Sequence, residues 1–132
     1  MKKDMVKILA IDDEADFVDV LKQYFGSRNY EIDISFTGDS GLALFCQKKH
    51  DVVLLDLKMA DAGGDKLMRK IKEVNDASNV IIVTAFKDSG ETRARLLNEG
   101  AYAYIEKPVA SLKELEKLVR RAASNSEEDI TE

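Results

Sequence analysis

The chain has 132 residues, of which 45% are hydrophobic and 34% charged, with a single cysteine and a single histidine; this describes one globular domain with a sizeable core, and it excludes an internal disulfide and a Cys/His zinc centre. No apolar run approaches the ~20 residues of a membrane span, and Met1-Lys2-Lys3-Asp4 leads directly into a strand pattern instead of a signal-peptide core, so a cytoplasmic protein with no membrane partner is expected. Of the net charge of -5, the tail residues Glu127, Glu128, Asp129 and Glu132 carry four negative charges, which leaves the body up to Ala123 at about -1 and without an electrostatic footprint for direct nucleic-acid binding.

In chain order, Val6 to Ile11 reads as a strand that stops abruptly at Asp12-Asp13-Glu14. Phe17, Val18, Leu21, Tyr24 and Phe25 then repeat at helical spacing, with Gly26 and Asn29 as the stop. Tyr30 to Phe36 is a short strand. Thr37-Gly38-Asp39-Ser40-Gly41 opens a helix through about Lys49, with Leu42, Phe45 and Cys46 on its inner face, which predicts a buried, inert thiol. Asp51 to Asp56 is a strand whose aliphatic run, Val52-Val53-Leu54-Leu55, has both faces apolar as in a central parallel strand. Gly63-Gly64 starts a helix carrying Leu67, Met68, Ile71 and Val74 inward. Asn79 to Thr84 is a second fully buried strand, followed by a helix from about Asp88 to Glu99 that Gly100 closes. Ala101 to Ile105 is the last strand, and Ser111-Leu112-Lys113-Glu114 is a capping box opening the last helix. His50, at a helix-to-strand junction, is taken as structural. Lys113, Lys117, Arg120 and Arg121 form a solvated basic face, supported by a Glu116 to Arg120 pair. Ser124 to Glu132 is polar, acidic and aperiodic, which predicts a folded domain over 1–123 and a disordered tail or linker start over 124–132.

Five strands alternating with five helices predict an α/β fold, a doubly wound parallel sheet with helices on both faces and right-handed crossovers. In such a sheet the polar residues that end the strands collect at one edge, where ligands bind. These are Asp12 and Asp13, Asp56, Thr84 and, just beyond Ile105, Lys107. Strand order 2-1-3-4-5 would set the first and third strands side by side and bring Asp13 near Asp56. Taken alone, Asp56 could be a metal ligand, a base, a nucleophile or a mere cap to its loop. Three carboxylates in one crevice repel, however, and a hard divalent cation such as magnesium is the natural counter-charge. With Lys107 it balances about -3 with about +3.

Asp12-Asp13, Asp56, Thr84 and Lys107-Pro108, each at the end of its own strand, together resemble the receiver domain of two-component response regulators, over about residues 5 to 123. The resemblance implies the flavodoxin-like, chemotaxis-regulator-like fold and a signalling switch that catalyses its own phosphorylation and dephosphorylation instead of a classical enzyme. It implies that Asp56 accepts a phosphoryl group from the phosphohistidine of a sensor histidine kinase or phosphotransfer protein. Magnesium would be held by Asp13 directly, by Asp12 largely through water, by Asp56 and by the backbone carbonyl of Lys58. Thr84 and Lys107 would contact the phosphoryl oxygens, and the Lys107-Pro108 peptide would be cis. On phosphorylation Thr84 would move toward the new group and Tyr104 would turn inward. The output face would be formed by the fourth helix, fifth strand and fifth helix, acting on a downstream protein target or an output domain missing from this sequence. The fourth helix shows few outward apolar residues, so constitutive dimerisation through it is not expected.

The loop after Asp56 departs from the family. Receivers commonly carry Met-Pro there, whereas this chain reads Met59-Ala60-Asp61-Ala62-Gly63-Gly64, and the lost proline and second glycine predict a loosened loop. Lys58 and Phe86, both large, flank the site and predict slow attack by water on an acyl phosphate. Among other readings, a haloacid-dehalogenase-type phosphotransferase needs a second acid where Lys58 stands. A flavodoxin-like electron carrier would have its FMN phosphate repelled by Asp12-Asp13-Glu14. A degenerate receiver acting as a phosphorylation-independent interaction module runs against the intact acidic set.

Overall fold

The computed structural model describes residues 5–59 and 63–131, with side chains through Ser124. Ala60, Asp61 and Ala62, on which the expectation of a loosened loop partly falls, lie outside the described residues. The elements are β1 (Val6–Ile11), α1 (Ala15–Gly26), β2 (Tyr30–Ser35), α2 (Gly38–Lys48), β3 (Val52–Leu55), α3 (Gly64–Val74), β4 (Asn79–Thr84), α4 (Glu91–Asn98), β5 (Ala103–Glu106) and α5 (Leu112–Thr131). They build a single five-stranded sheet in the order β2-β1-β3-β4-β5, parallel throughout. This is the doubly wound parallel α/β fold expected from the alternation of elements, with the flavodoxin-like strand order that the resemblance implies.

Strand periodicity divides the core. Leu9, Ile11, Val53, Leu55, Val80 and Ile82 point to one face, where they meet Phe45 of α2, Leu67, Met68 and Ile71 of α3 and Leu96 of α4. Their strand neighbours Ile8, Ala10, Val52, Leu54, Ile81 and Val83 point to the other, against Leu21 and Phe25 of α1 and Leu115 and Val119 of α5. A strand buried on both faces has no use for alternation, which is why β3 and β4 read as continuous apolar runs.

Local chemistry sets the helix boundaries. Thr37 Oγ1 accepts from the Ser40 N–H at 3.2 Å and caps α2. Ser111 Oγ likewise accepts from the Glu114 N–H at 3.1 Å, whereas the Glu114 carboxylate turns to Lys117, so only half of the predicted capping box forms. α4 begins at Glu91 and not near Asp88, because Gly90 takes φ +101° and breaks the helical path. The Asp88 carboxylate instead accepts from Gly90 N–H, Thr92 N–H and the Thr92 hydroxyl, at 2.9, 3.3 and 2.6 Å. Led by the hydroxyl, these bonds hold its pKa below the ordinary aspartate value.

Several expectations need correction. Cys46 is exposed, because α2 buries Gly38, Gly41 and Phe45 and the next residue along the helix is turned away from that stripe. Val74 ends α3 and is 39% exposed. Glu116 does not pair with Arg120 on the surface. It is 5% exposed and accepts hydrogen bonds from the Tyr24 and Tyr30 hydroxyls, both at 2.9 Å, and from Arg28 at 3.1 Å. Its neighbours Leu115 and Val119 fix the inward face of α5, and position 116 shares it. Residues 124–131, expected to be a tail, continue α5 in their backbone to Thr131. The segment contains neither glycine nor proline, so an already formed helix propagates through it. Lys113, Lys117, Arg120 and Arg121 are exposed, as the solvated-face reading requires.

His50 is fully buried, with Nε2 2.8 Å from Asp33 Oδ2 and its ring stacked on Phe45. No described helix is long and apolar enough to cross a membrane.

Candidate functional site

The parallel sheet brings the ends of β1, β3, β4 and β5 to one edge. The Asp56 N–H donates to the Ile11 carbonyl at 3.1 Å, and the Lys107 N–H donates to the Thr84 carbonyl at 2.8 Å. Each polar residue therefore leaves the core beside its neighbour's. Asp12, Asp13 and Asp56 each offer a carboxylate oxygen within 4.8 Å of the others. Asp12 and Asp56 are buried at 3% and 6% exposure, while Asp13 faces solvent.

Asp56 is held from three directions. Its Oδ1 accepts from the Thr84 hydroxyl at 2.8 Å and from the Lys58 N–H at 3.1 Å, and its Oδ2 lies 3.4 Å from Lys107 Nζ. The Lys107 ammonium makes closer contacts with Asp12 Oδ2 at 2.9 Å and Glu14 Oε1 at 2.8 Å. The Lys107-Pro108 peptide is cis. Burial pushes the Asp12 carboxyl above its ordinary value, and repulsion from Asp56 acts in the same direction. Hydrogen bonds from the Glu14 N–H and from Lys107 only partly offset this. Burial works against the Lys107 charge, but Glu14, Asp12 and Asp56 outweigh it and hold the ammonium well above the ordinary lysine range.

This donor set suits a hard divalent cation. It is all carboxylate oxygen, carries more negative charge than one lysine offsets, and includes a buried acid whose ionised form is already disfavoured. The described backbone also brings Lys58, the remaining expected ligand, to the same edge, two residues beyond Asp56.

Tyr104 is 8% exposed, so its ring is already inward, with its hydroxyl 3.4 Å from the Phe86 carbonyl. Thr84 is likewise already bonded to Asp56. Phe86 and Lys58 border a groove of about 330 Å³ between the segment after β3 and α4, together with Leu57, Arg95 and Leu96. Gly64, the second glycine of the departing loop after Asp56, is the first residue of α3. A Cβ there would lie 2.7 Å from Leu57 Cα and 2.9 Å from the Asp56 carbonyl oxygen, so the start of α3 is packed directly against the backbone that carries Asp56.

Sequence reasoning missed Glu14 as a site residue. It stood only as the last of three acids after β1, yet it reaches a lysine 93 positions away. Phe17, read only as part of the apolar repeat of α1, lies with its ring centroid 4.7 Å from the same ammonium.

Comparison with known proteins agrees with this geometry. Residues 8–120 match the response regulator receiver domain. The chain is 30% identical over 128 residues to the transcriptional regulatory protein ZraR of Salmonella typhimurium and 34% identical over 123 residues to the transcriptional regulatory protein ResD of Bacillus subtilis. These alignments cover 97% and 91% of the chain but only 29% and 50% of those relatives. Among solved structures, a CheY-like receiver domain protein from Methanospirillum hungatei superposes with a TM-score of 0.84 at 31% identity, covering 94% of this chain and 98% of that one. The signal receiver domain of a putative Luxo repressor protein from Vibrio parahaemolyticus superposes with a TM-score of 0.88 at 26% identity, covering 97% and 98%. The chain belongs to the response regulator receiver family and is the receiver domain of a two-component response regulator.

Proposed function

We propose that Asp56 is the phosphoacceptor of this receiver, in a magnesium-dependent transfer from a phosphohistidine on a sensor histidine kinase or phosphotransfer protein. The observation that carries the reading is the convergence on one carboxylate of Thr84 Oγ1 at 2.8 Å, the Lys58 N–H at 3.1 Å and Lys107 Nζ at 3.4 Å, beside two further acids. An Asp56 oxygen attacks phosphorus. The new O–P bond forms as the P–N bond breaks, and the imidazole leaves with the electron pair. Thr84 and Lys107, which contact Asp56 at 2.8 and 3.4 Å, would donate to the phosphoryl oxygens, where negative charge accumulates. Asp12, Asp13, Asp56 and the Lys58 carbonyl are the groups that would hold magnesium, which when bound offsets the charge of the carboxylates and of the incoming phosphoryl group. Lys58 and Phe86, bordering the same groove, restrict the approach of water and lengthen the life of the acyl phosphate; Lys58→Asn with Phe86→Ala is expected to shorten it.

The output reading follows the relatives, which are longer and named as transcriptional regulators. Tyr104 and the face built by α4, β5 and α5 would transmit the state of Asp56 to a downstream protein or to an output domain outside this sequence. A second reading, a module that binds its partner without phosphorylation, draws on one observation: Thr84 and Tyr104 already occupy the inward arrangement.

Intact-mass measurement after incubation with acetyl phosphate and magnesium separates the two. One added phosphoryl group, labile to hydroxylamine and missing in Asp56→Ala, is the expected result. An unmodified wild-type mass would overturn the phosphoacceptor reading in favour of the second.

A further inference from the structure

Lys107 has three N–H bonds to give, and their present partners are unequal. Glu14 Oε1 and Asp12 Oδ2 take the short contacts, at 2.8 and 2.9 Å, and Asp56 the long one, at 3.4 Å. The Phe17 ring lies 4.7 Å from the ammonium and holds it from the α1 side. Asp12 and Asp56 are almost wholly buried, with side chains 4% and 8% exposed. Glu14 differs from both. Its side chain is 57% exposed, so nothing in the core requires its charge to be paired, and it draws the lysine toward the mouth of the site.

We propose that Glu14 is a positioning residue that tethers the Lys107 ammonium at the mouth of the site, so that Lys107 fully engages a phosphoryl group on Asp56 only by giving up this ion pair. The inference rests on the reading of Asp56 as phosphoacceptor. Asp12 remains committed to the cation site, so Glu14 is the partner Lys107 exchanges. The tether restrains phosphorylation by holding back a donor that the transferred group needs. Because the pair is exposed, the restraint is modest and sensitive to salt.

The test compares wild type with Glu14→Gln and Glu14→Asp. The aspartate keeps the charge but is one methylene shorter, so it loses the 2.8 Å contact. Phosphorylation by acetyl phosphate at saturating magnesium is expected to be about two- to fivefold faster in both variants, the range set by an exposed ion pair. The advantage should shrink toward one as potassium chloride is raised, because wild type loses its tether to screening. Beryllium fluoride with magnesium, a stand-in for the phosphoryl group that is not transferred, should raise the melting temperature of both variants at lower concentrations than wild type. Equal or slower rates in the variants, with wild type still phosphorylated, overturn the tether alone. Acceleration by Gln but not by Asp also overturns it, because general charge would then be the cause. A wild type that takes no phosphoryl group overturns the phosphoacceptor reading and the tether with it.

Discussion

Two of the buried carboxylates of this domain, Glu116 and Asp12, have opposite surroundings. Glu116, where α1, β2 and α5 meet, is 5% exposed and accepts from two tyrosine hydroxyls and an arginine. Burial pushes its pKa up, yet the donors of Tyr24, Tyr30 and Arg28 together bring it below the ordinary glutamate value. Tyr30, buried against that charge, is pushed up to about 12. Asp12, at the opposite end of the sheet's logic, is 3% exposed and shares its crevice with Asp13 and Asp56. There burial and repulsion win, and its carboxyl stays above the ordinary aspartate value. The same functional group thus binds three elements together in one place and stores instability in the other. The difference is the ratio of donors to acids, and only the deficient site has a use for a cation.

The comparison breaks most visibly at Glu116. Glu116→Ala leaves two buried or half-buried hydroxyls and Arg28 without their acceptor, and it is expected to lower stability by about 2–3 kcal/mol, measured by urea unfolding. A loss under 0.5 kcal/mol would show that the corner is held by packing alone. Gly64→Ala probes the backbone beneath the acidic edge. The added Cβ meets Leu57 Cα at 2.7 Å, so either β3 or α3 must shift, at about 1–3 kcal/mol in the same assay.

Asp12→Asn should move stability the other way. It removes a charge whose ionised form is disfavoured in the fold while keeping an acceptor for the Glu14 N–H, so in chelator the melting temperature should rise by about 3–5 °C. An unchanged or lower value would mean that the ion pair with Lys107 had balanced the cluster.

The smallest effect is in the acid limb of the stability curve. Glu116 has its folded value below the ordinary 4.5, so its contribution is present above that pH and disappears as pH falls through the folded value. Asp12 has its folded value above 3.8, so its penalty holds at neutral pH and is relieved as pH falls through the folded value. Glu116→Gln should therefore flatten the loss of stability below about pH 4.5 and Asp12→Asn should steepen it, both measured by melting temperature across pH 3 to 7.

The sheet and its acidic edge were legible because both depend on local runs. Val52-Val53-Leu54-Leu55 followed by Asp56 declares a buried strand and its exit, and the same grammar recurs at Asp12, Thr84 and Lys107. Glu116 was not legible, because Arg120 at helical spacing supplied a sufficient surface partner. Its true donors lie 86 to 92 positions away, and only the packing of α5 against α1 and β2 brings them in. Glu14 was missed for the same reason, since its partner arrives on another strand. Cys46 and Val74 were misplaced by extending apolar stripes into neighbours of the buried face and past its end. Gly64 read as looseness in a loop, whereas its missing side chain permits close approach of two backbones, which one-dimensional spacing does not display.

The most direct test of this account is thermal unfolding with and without magnesium, run on wild type and Asp13→Ala. If the acidic edge is a cation site, magnesium at a hundredfold excess over its dissociation constant adds about 2.7 kcal/mol and raises the wild-type melting temperature by several degrees, and Asp13→Ala abolishes the shift. A wild type that melts at the same temperature in magnesium and in chelator would contradict it.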